Sequence, residues 1–201
     1  MSDTINDINK LDPNAIYTYA DYLSWRFNEM VELIKGKMVR MPAPVEYHQR
    51  ISWNLSYLIA SYLWEKPCRA YSAPFDVRLK DGQKATLNNE NILTTVQPDL
   101  CIICDLSKID TKGCLGSPDL VVEILSEGNS KKEMKTKYEL YEANEIPEYW
   151  IVDPTHETVH QFALDSSTQK YFLVKIWIDE DTFSSYLFPD LAIDLTKVFT
   201  H

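Results

Sequence analysis

The chain has 201 residues, 45% hydrophobic and 12% aromatic, which suits one substantial core and one domain better than two full domains. Its formal net charge of −10 argues against coating nucleic acid through bulk electrostatics, which needs clustered Lys and Arg, but leaves room for an enzyme with one local basic patch. Cys68, Cys101, Cys104 and Cys114 are too few and too irregularly spaced for a disulfide framework. The opening MSDTINDINK has neither the basic flank nor the apolar centre of a secretion signal, and no apolar run approaches the roughly 20 residues of a membrane span, so a cytoplasmic protein is expected.

Residues 1–16 are polar, with Asn, Asp and Pro, and are expected to form a flexible N-terminal arm ahead of a single domain over 17–201. TYADYLSWRFNEM reads as a short helix capped by Thr18, and MVELIKGKMVRMP as a hairpin turning at Gly36. PVEYHQRISWNLSYLIASYLWEK reads as a long helix, because His48, Ile51, Leu55, Leu58, Ile59 and Tyr62 share one face. Strand-like runs follow at YSAPFDVRLK, VQPDLCIIC and SPDLVVEILS, with a polar loop at DGQKATLNNENILTT. Next comes a helix, NSKKEMKTKYELYEANEI, capped by Asn129 or Ser130. The strands PEYWIVDP, TVHQFAL, KYFLVKIWI and FSSYLFP follow, and DLAIDLTKVF closes the chain. This order predicts a mixed α/β (α+β) fold, with one central mixed sheet flanked by helices, an N-terminal hairpin and a C-terminal β appendage.

The acids carry the chemistry. LVVEIL is apolar on both faces, as an interior strand should be, yet Glu123 stands in its middle. A buried carboxylate needs a metal, a cation or a hydrogen-bond network, or else takes up a proton, and the strand alone does not choose between a site and a salt bridge. Glu32 alternates with Met30 and Ile34 on a hairpin face, where a solvated sheet edge would also explain it.

Pro-Asp-Leu occurs three times, at Asp99, Asp119 and Asp190. Asp119 and Glu123 share a strand face but stand roughly 13 Å apart along it, whereas two oxygens on one Mg²⁺, each at about 2.1 Å, lie within roughly 4 Å of each other. Asp99 lies on a different strand, and neighbouring strands are roughly 4.8 Å apart, so Asp99 with Glu123 is the expected pair. Asp190 is expected in a turn. On the helix after Glu123, Lys137 lies about 40° from Tyr141 at the border of an apolar face formed by Met134, Tyr138 and Tyr141. That position lets its ammonium reach the sheet or end as a solvated tip in an i, i+4 pair.

The segments VELIKGKMVRMPAPVEYHQRISWNLSYLI, QPDLCII, SPDLVVEILSEGNSKKEMKTKYELYE and IPEYWIVDPTHETVHQF resemble, in order and spacing, the bacterial Uma-type family of restriction endonuclease-like proteins, a branch of the PD-(D/E)xK nuclease superfamily. The likeness runs from about Tyr17 to Phe199. It implies a restriction-endonuclease-like core, with Asp99 and Glu123 as metal-binding acids, Glu32 as a further acid of the early hairpin, and Lys137 as the active-site lysine. The superfamily's lysine stands two residues after the strand glutamate, where this chain has Leu125; the resembling family has moved it onto the next helix. Glu133 departs from the family's usual Asp. His48 matches a family histidine, and on an apolar helix face it reads first as a core residue and second as a group that orients the site.

The implied activity is metal-assisted phosphodiester hydrolysis in DNA, with Mg²⁺ or Mn²⁺ held by Asp99, Glu123, the Ile124 carbonyl and, directly or through water, Glu32. The rival is a catalytically silent member of the fold that binds a partner or nucleic acid. A homodimer, with the aromatic C-terminal strands as interface, would suit cleavage of two strands. Cys101 and Cys104 face opposite sides of a strand, and His156 and His160 lie too far apart along one to chelate, so neither pair is expected to bind metal. With five glycines there is no Walker loop, dinucleotide fingerprint or serine-hydrolase elbow.

Overall fold

The computed structural model of the chain describes residues 4–81, 88–126 and 131–200, and the side chains of all of these but 131–133. In chain order the elements are α1 (Tyr19–Tyr22), β1 (Val31–Ile34), β2 (Lys37–Arg40), α2 (Glu46–Leu63), β3 (Arg69–Ser72), β4 (Val77–Leu79), β5 (Thr94–Val96), β6 (Leu100–Ile103) and β7 (Ile109–Asp110). They continue with β8 (Gly113–Leu115), β9 (Leu120–Ile124), α3 (Lys131–Ala143), β10 (Glu148–Asp153), β11 (Thr158–Asp165), β12 (Lys170–Ile178), β13 (Thr182–Ser184), β14 (Ala192–Asp194) and α4 (Leu195–Val198). The expected cap at Asn129 or Ser130 lies outside the described residues.

The mixed α+β class is as the sequence predicts, but the strands divide between two sheets rather than one. One sheet runs β2-β1-β5-β4-β8-β7, the other β12-β11-β10-β9-β6-β3, and β13 pairs with β14. The β9 to β10 pair is parallel and is bridged by α3, the crossover that a parallel pair requires. The expected first helix is a single turn, held by a capping box in which Thr18 and Asp21 satisfy each other's backbone amides. Lys35 and Gly36, at φ 50° and 75°, form the predicted hairpin turn; a Cβ on Gly36 would stand 2.5 Å from Ile16 Cγ2. Ahead of it, Ile8 and Leu11 are buried with Trp25, Val31 and Leu33, so these two apolar side chains seat the N-terminal segment on the fold.

Alternation along two adjacent strands sorts the core into two compartments. Leu100 and Ile102 of β6, with Leu120, Val122 and Ile124 of β9, face the apolar side of α2, where Ile51, Leu55 and Ile59 are fully buried. Cys101, Ile103 and Val121 face the other way, toward Val77 and Val96 of the first sheet and Leu140 and Tyr141 of α3. Extending the same alternation by one residue puts the side chains of Asp99 and Glu123 on this second side. The layer between the sheets and beneath α3 is therefore where the strand acids must find partners.

Two buried features were not foreseen. Although the four cysteines did not suggest a disulfide framework, Cys104 is disulfide-bonded to Cys68, in line with the register of Arg69 opposite Ile103, while Cys101 and Cys114 are buried thiols. Glu148, fully buried at the start of β10, accepts hydrogen bonds from Trp150 Nε1 (2.7 Å), Gln161 Nε2 (2.8 Å) and Ser185 Oγ (2.6 Å), and from the amides of Tyr186 (2.9 Å) and Leu187 (2.8 Å). Five donors replace its lost hydration and fasten the C-terminal appendage to the second sheet. Glu148→Ala leaves these donors unsatisfied, so urea unfolding should show a loss of at least about 3 kcal/mol, from about 1–3 kcal/mol per buried orphan. A loss below about 0.5 kcal/mol, within the range of ordinary surface substitutions, would contradict this role.

Candidate active site

Lys137 points inward. Its ammonium donates to Glu32 Oε1 at 2.6 Å and to Glu123 Oε1 at 3.0 Å, and its side chain is 16% exposed. The helix border position resolves toward the sheet because the aliphatic stem can lie beside Met134 and Tyr141 while two carboxylates receive the charge. One turn on, the Tyr141 hydroxyl donates to Glu123 Oε1. Glu32, 3% exposed on β1, also accepts from the Gln97 amide at 2.8 Å, so the hairpin acid is turned to the interior and not to a solvated edge.

Behind Glu32 stands a polar layer whose members lie far apart along the chain. Gln97 Nε2 donates to Asp76 Oδ1 at 2.8 Å and to the Tyr22 hydroxyl at 3.2 Å, and the Tyr19 hydroxyl donates to Asp76 Oδ2 at 2.8 Å. Tyr19 and Tyr22 come from α1, Asp76 precedes β4 and Gln97 follows β5. Their apolar or loop contexts concealed a network that depends on three segments meeting.

Asp99 sits just before β6. The register pairs Leu100 with Val122, which carries Asp99 opposite Glu123, and Asp99 Oδ2 accepts from the Ile124 amide at 2.7 Å. His48, 6% exposed on α2, places Nε2 3.1 Å from the Ile124 carbonyl oxygen and 3.3 Å from Asp99 Oδ1. Both neighbours are acceptors, so Nε2 carries the proton, and the ring joins the two oxygens. His48 thus has the orienting contacts that the sequence ranked second to a core role. Asp119 accepts from the Cys104 amide at 2.7 Å, and Asp190 lies in an exposed turn, so neither joins this cluster.

The protonation states follow from this packing. Burial lifts Glu123 above the usual carboxylate range; Lys137 pulls it down, but the charges of Asp99 and Glu32 reinforce the upward shift. Burial disfavours the charged form of Lys137, yet Glu123 and Glu32 outweigh it and hold the ammonium charged. The two shifts agree once charges are counted: two acids share one cation, so the lysine stays protonated and one acid binds a proton readily. Burial pulls His48 down, and the hydrogen bond and charge of Asp99 with the Ile124 carbonyl carry it above the ordinary value.

Glu32, Asp99, Glu123, Ile124, Lys137 and His48 line one cavity of about 660 Å³. Among the described residues no three His, Cys, Asp or Glu side chains form a metal-holding cluster. Two carboxylates and the Ile124 carbonyl instead offer the few hard oxygens that suit Mg²⁺, which keeps several waters in its shell. The side chain of Glu133 lies outside the described residues.

The fold and this acid, lysine and histidine cleft define a restriction endonuclease-like protein. A family model described as "Uma2: Putative restriction endonuclease" matches residues 19–196, and the chain belongs to that family. A crystal structure of a protein described as a "putative nuclease belonging to DUF820", from Anabaena variabilis, shares the fold with a TM-score of 0.69. That likeness covers 90% of this chain and 97% of that one at 17% identity. An uncharacterized protein of Synechocystis sp. is 26% identical over 138 residues, 67% of each chain. Family and fold together support a nuclease.

Lys137→Met tests the electrostatic account. An acid whose folded pKa is raised contributes stability that is fully present below its unfolded value and lost as pH rises through the folded one. Removing the ammonium raises Glu123 further and leaves Glu32 uncompensated. Denaturant unfolding should show a loss of about 3–5 kcal/mol near pH 8 that shrinks toward pH 5. An equal loss at both pH values would contradict it.

Proposed function

We propose that the protein is a Mg²⁺- or Mn²⁺-dependent endonuclease that hydrolyses phosphodiester bonds in DNA, through Asp99, Glu123, Lys137 and Glu32. The single observation that carries this reading is the meeting of Lys137 with Glu123 beside Asp99 in one cavity, from three separate elements. Residues 17–201 act as one domain in this reading.

Asp99, Glu123 and the Ile124 carbonyl would hold the metal. Bound there, a divalent cation supplies Lewis acidity toward the phosphate and lowers the pKa of a coordinated water. The chain's own groups do the rest. Asp99 is fixed by the Ile124 amide, which aims its second oxygen, and His48 keeps that oxygen and the Ile124 carbonyl at a common point. Lys137, pinned by Glu32, presents a fixed ammonium that can orient water and offset charge developing on the phosphate. Glu32 serves chiefly to set that ammonium, since Lys137 and the Gln97 amide already occupy its Oε1. Tyr141 holds Glu123 from the helix side.

DNA as substrate, a cytoplasmic setting and a homodimer belong to the same proposal. No helix among the described residues is long and apolar enough to cross a membrane. Support for the dimer is that β12 is a sheet edge and exposes Phe172, Leu173 and Ile176, a self-complementary strand for a two-fold pair. The rival, a silent binding module, draws on the ion pairs themselves, because a satisfied buried network needs no catalytic reason to exist.

Cleavage of labelled DNA in Mg²⁺ or Mn²⁺ separates the two readings. Asp99→Ala and Glu123→Ala should each lower the rate at least about 100-fold, the scale of losing one preorganised electrostatic contact. Activity that survives both substitutions would place the chemistry elsewhere.

A further inference from the structure

The wall beside the acids is unlike a surface made for a phosphate backbone. Met30 and Met41 are joined by the Met41 amide donating to the Met30 carbonyl at 2.9 Å, which closes the open end of the β1–β2 hairpin. Both line the cavity, together with Pro42, Pro74, Leu125 and Met134. Met30 is 39% exposed, although a methionine of that size gains by burial. The apolar wall is continuous with Glu123, Ile124 and Lys137 in the same cavity.

The charges there are equally uneven. Among the described residues the cavity is lined by Glu32, Asp99 and Glu123 against two side chains of fixed positive charge, Lys137 and Arg40. Lys137 is already taken by two carboxylates, and Arg40 at the hairpin end is exposed, with one guanidinium nitrogen donating to Asn9 Oδ1 at 3.3 Å. Duplex DNA shows a protein mainly its phosphates, and tight binding requires several cations spaced along them. The whole chain, at −10, adds no general attraction. A base out of its stack offers what this wall lacks: a flat, polarizable, weakly solvated face, against which thioethers and proline rings pack well. In a duplex that base must first be unstacked and unpaired, and in a single strand it need not be.

We infer that the Met30, Met41, Pro42 and Met134 wall is a nucleobase pocket, and that the preferred substrate is single-stranded nucleic acid, seated with one base against the wall and the adjoining phosphate at Asp99 and Glu123. This rests on the nuclease reading for the placement of the phosphate, and Arg40 is placed to take a neighbouring phosphate.

The test is fluorescence anisotropy of the full chain with a labelled strand of about 12 nucleotides. Ca²⁺ replaces Mg²⁺, since it accepts the same hard oxygens, so binding is read apart from turnover. The single strand should bind about tenfold more tightly than its blunt duplex, and a strand of the same length built of abasic residues should lose that advantage. Met30→Ser with Met41→Ser should weaken the natural strand by about tenfold and leave the abasic strand unchanged. Equal or tighter binding of the duplex, undiminished binding of the abasic strand, or no binding of any probe would overturn the pocket. Duplex preference accompanied by cleavage that Asp99→Ala abolishes would remove the pocket and keep the nuclease. Base-dependent binding without Asp99-dependent cleavage would keep the pocket and remove the nuclease.

Discussion

One ammonium, that of Lys137, is held inside the protein between Glu32 and Glu123, and the arrangement of the site follows from it. Taking a lysine and two carboxylates out of water is costly unless each finds a close partner of opposite charge and its remaining hydrogen bonds. That requirement draws three elements to one point: β1 carries Glu32, β9 carries Glu123 and α3 carries Lys137. The Gln97 amide and the Tyr141 hydroxyl complete the shells of the two acids. With two acids on one cation and Asp99 alongside, the cluster keeps a surplus of negative charge. A divalent cation is what would neutralise it, and Glu123, lifted by burial, by Asp99 and by Glu32, is the group that most needs such a partner.

The scaffold makes this surplus possible without dissolving the core. Strand alternation sends the apolar residues of β6 and β9 to both faces and opens one gap, at Asp99 and Glu123, on the side covered by α3. α2 closes the far side and contributes His48, whose ring reaches the end of β9 at the Ile124 carbonyl. The appendage is fastened separately by Glu148 and its five donors, at the opposite end of β10's parallel pairing with β9 from the Ile124 carbonyl. Charge at the site and polarity in the core are thus handled by different residues.

Much of the site was legible because it obeys short-range rules. Period-two alternation and strand spacing were enough to prefer Asp99 over Asp119 as the partner of Glu123, and the register of Leu100 with Val122 sets Asp99 opposite Glu123. Lys137 could be put at the border of a helix face, but its direction depended on where Glu32 arrived from 105 residues away, which periodicity does not encode. The division into two sheets was not legible either. β4, β5 and β8 have three residues each, and such short apolar runs read alike whichever sheet receives them. Glu148 drew no reading from the sequence, because its partners at Ser185, Tyr186 and Leu187 lie nearly 40 residues downstream. Tyr141 was visible as an apolar neighbour of Lys137, and only the fold shows its hydroxyl on Glu123. Cys68 and Cys104 are separated by 36 residues and become cross-strand neighbours through pairing that spacing alone did not reveal.

The most direct measurement is a crystal structure of the protein soaked in Mn²⁺, with the ion located by anomalous scattering. The account predicts one Mn²⁺ bound by the carboxylates of Asp99 and Glu123 and by the Ile124 carbonyl, with Lys137 still held by Glu32. Density for the ion at some other place, or none at saturating Mn²⁺, would contradict it.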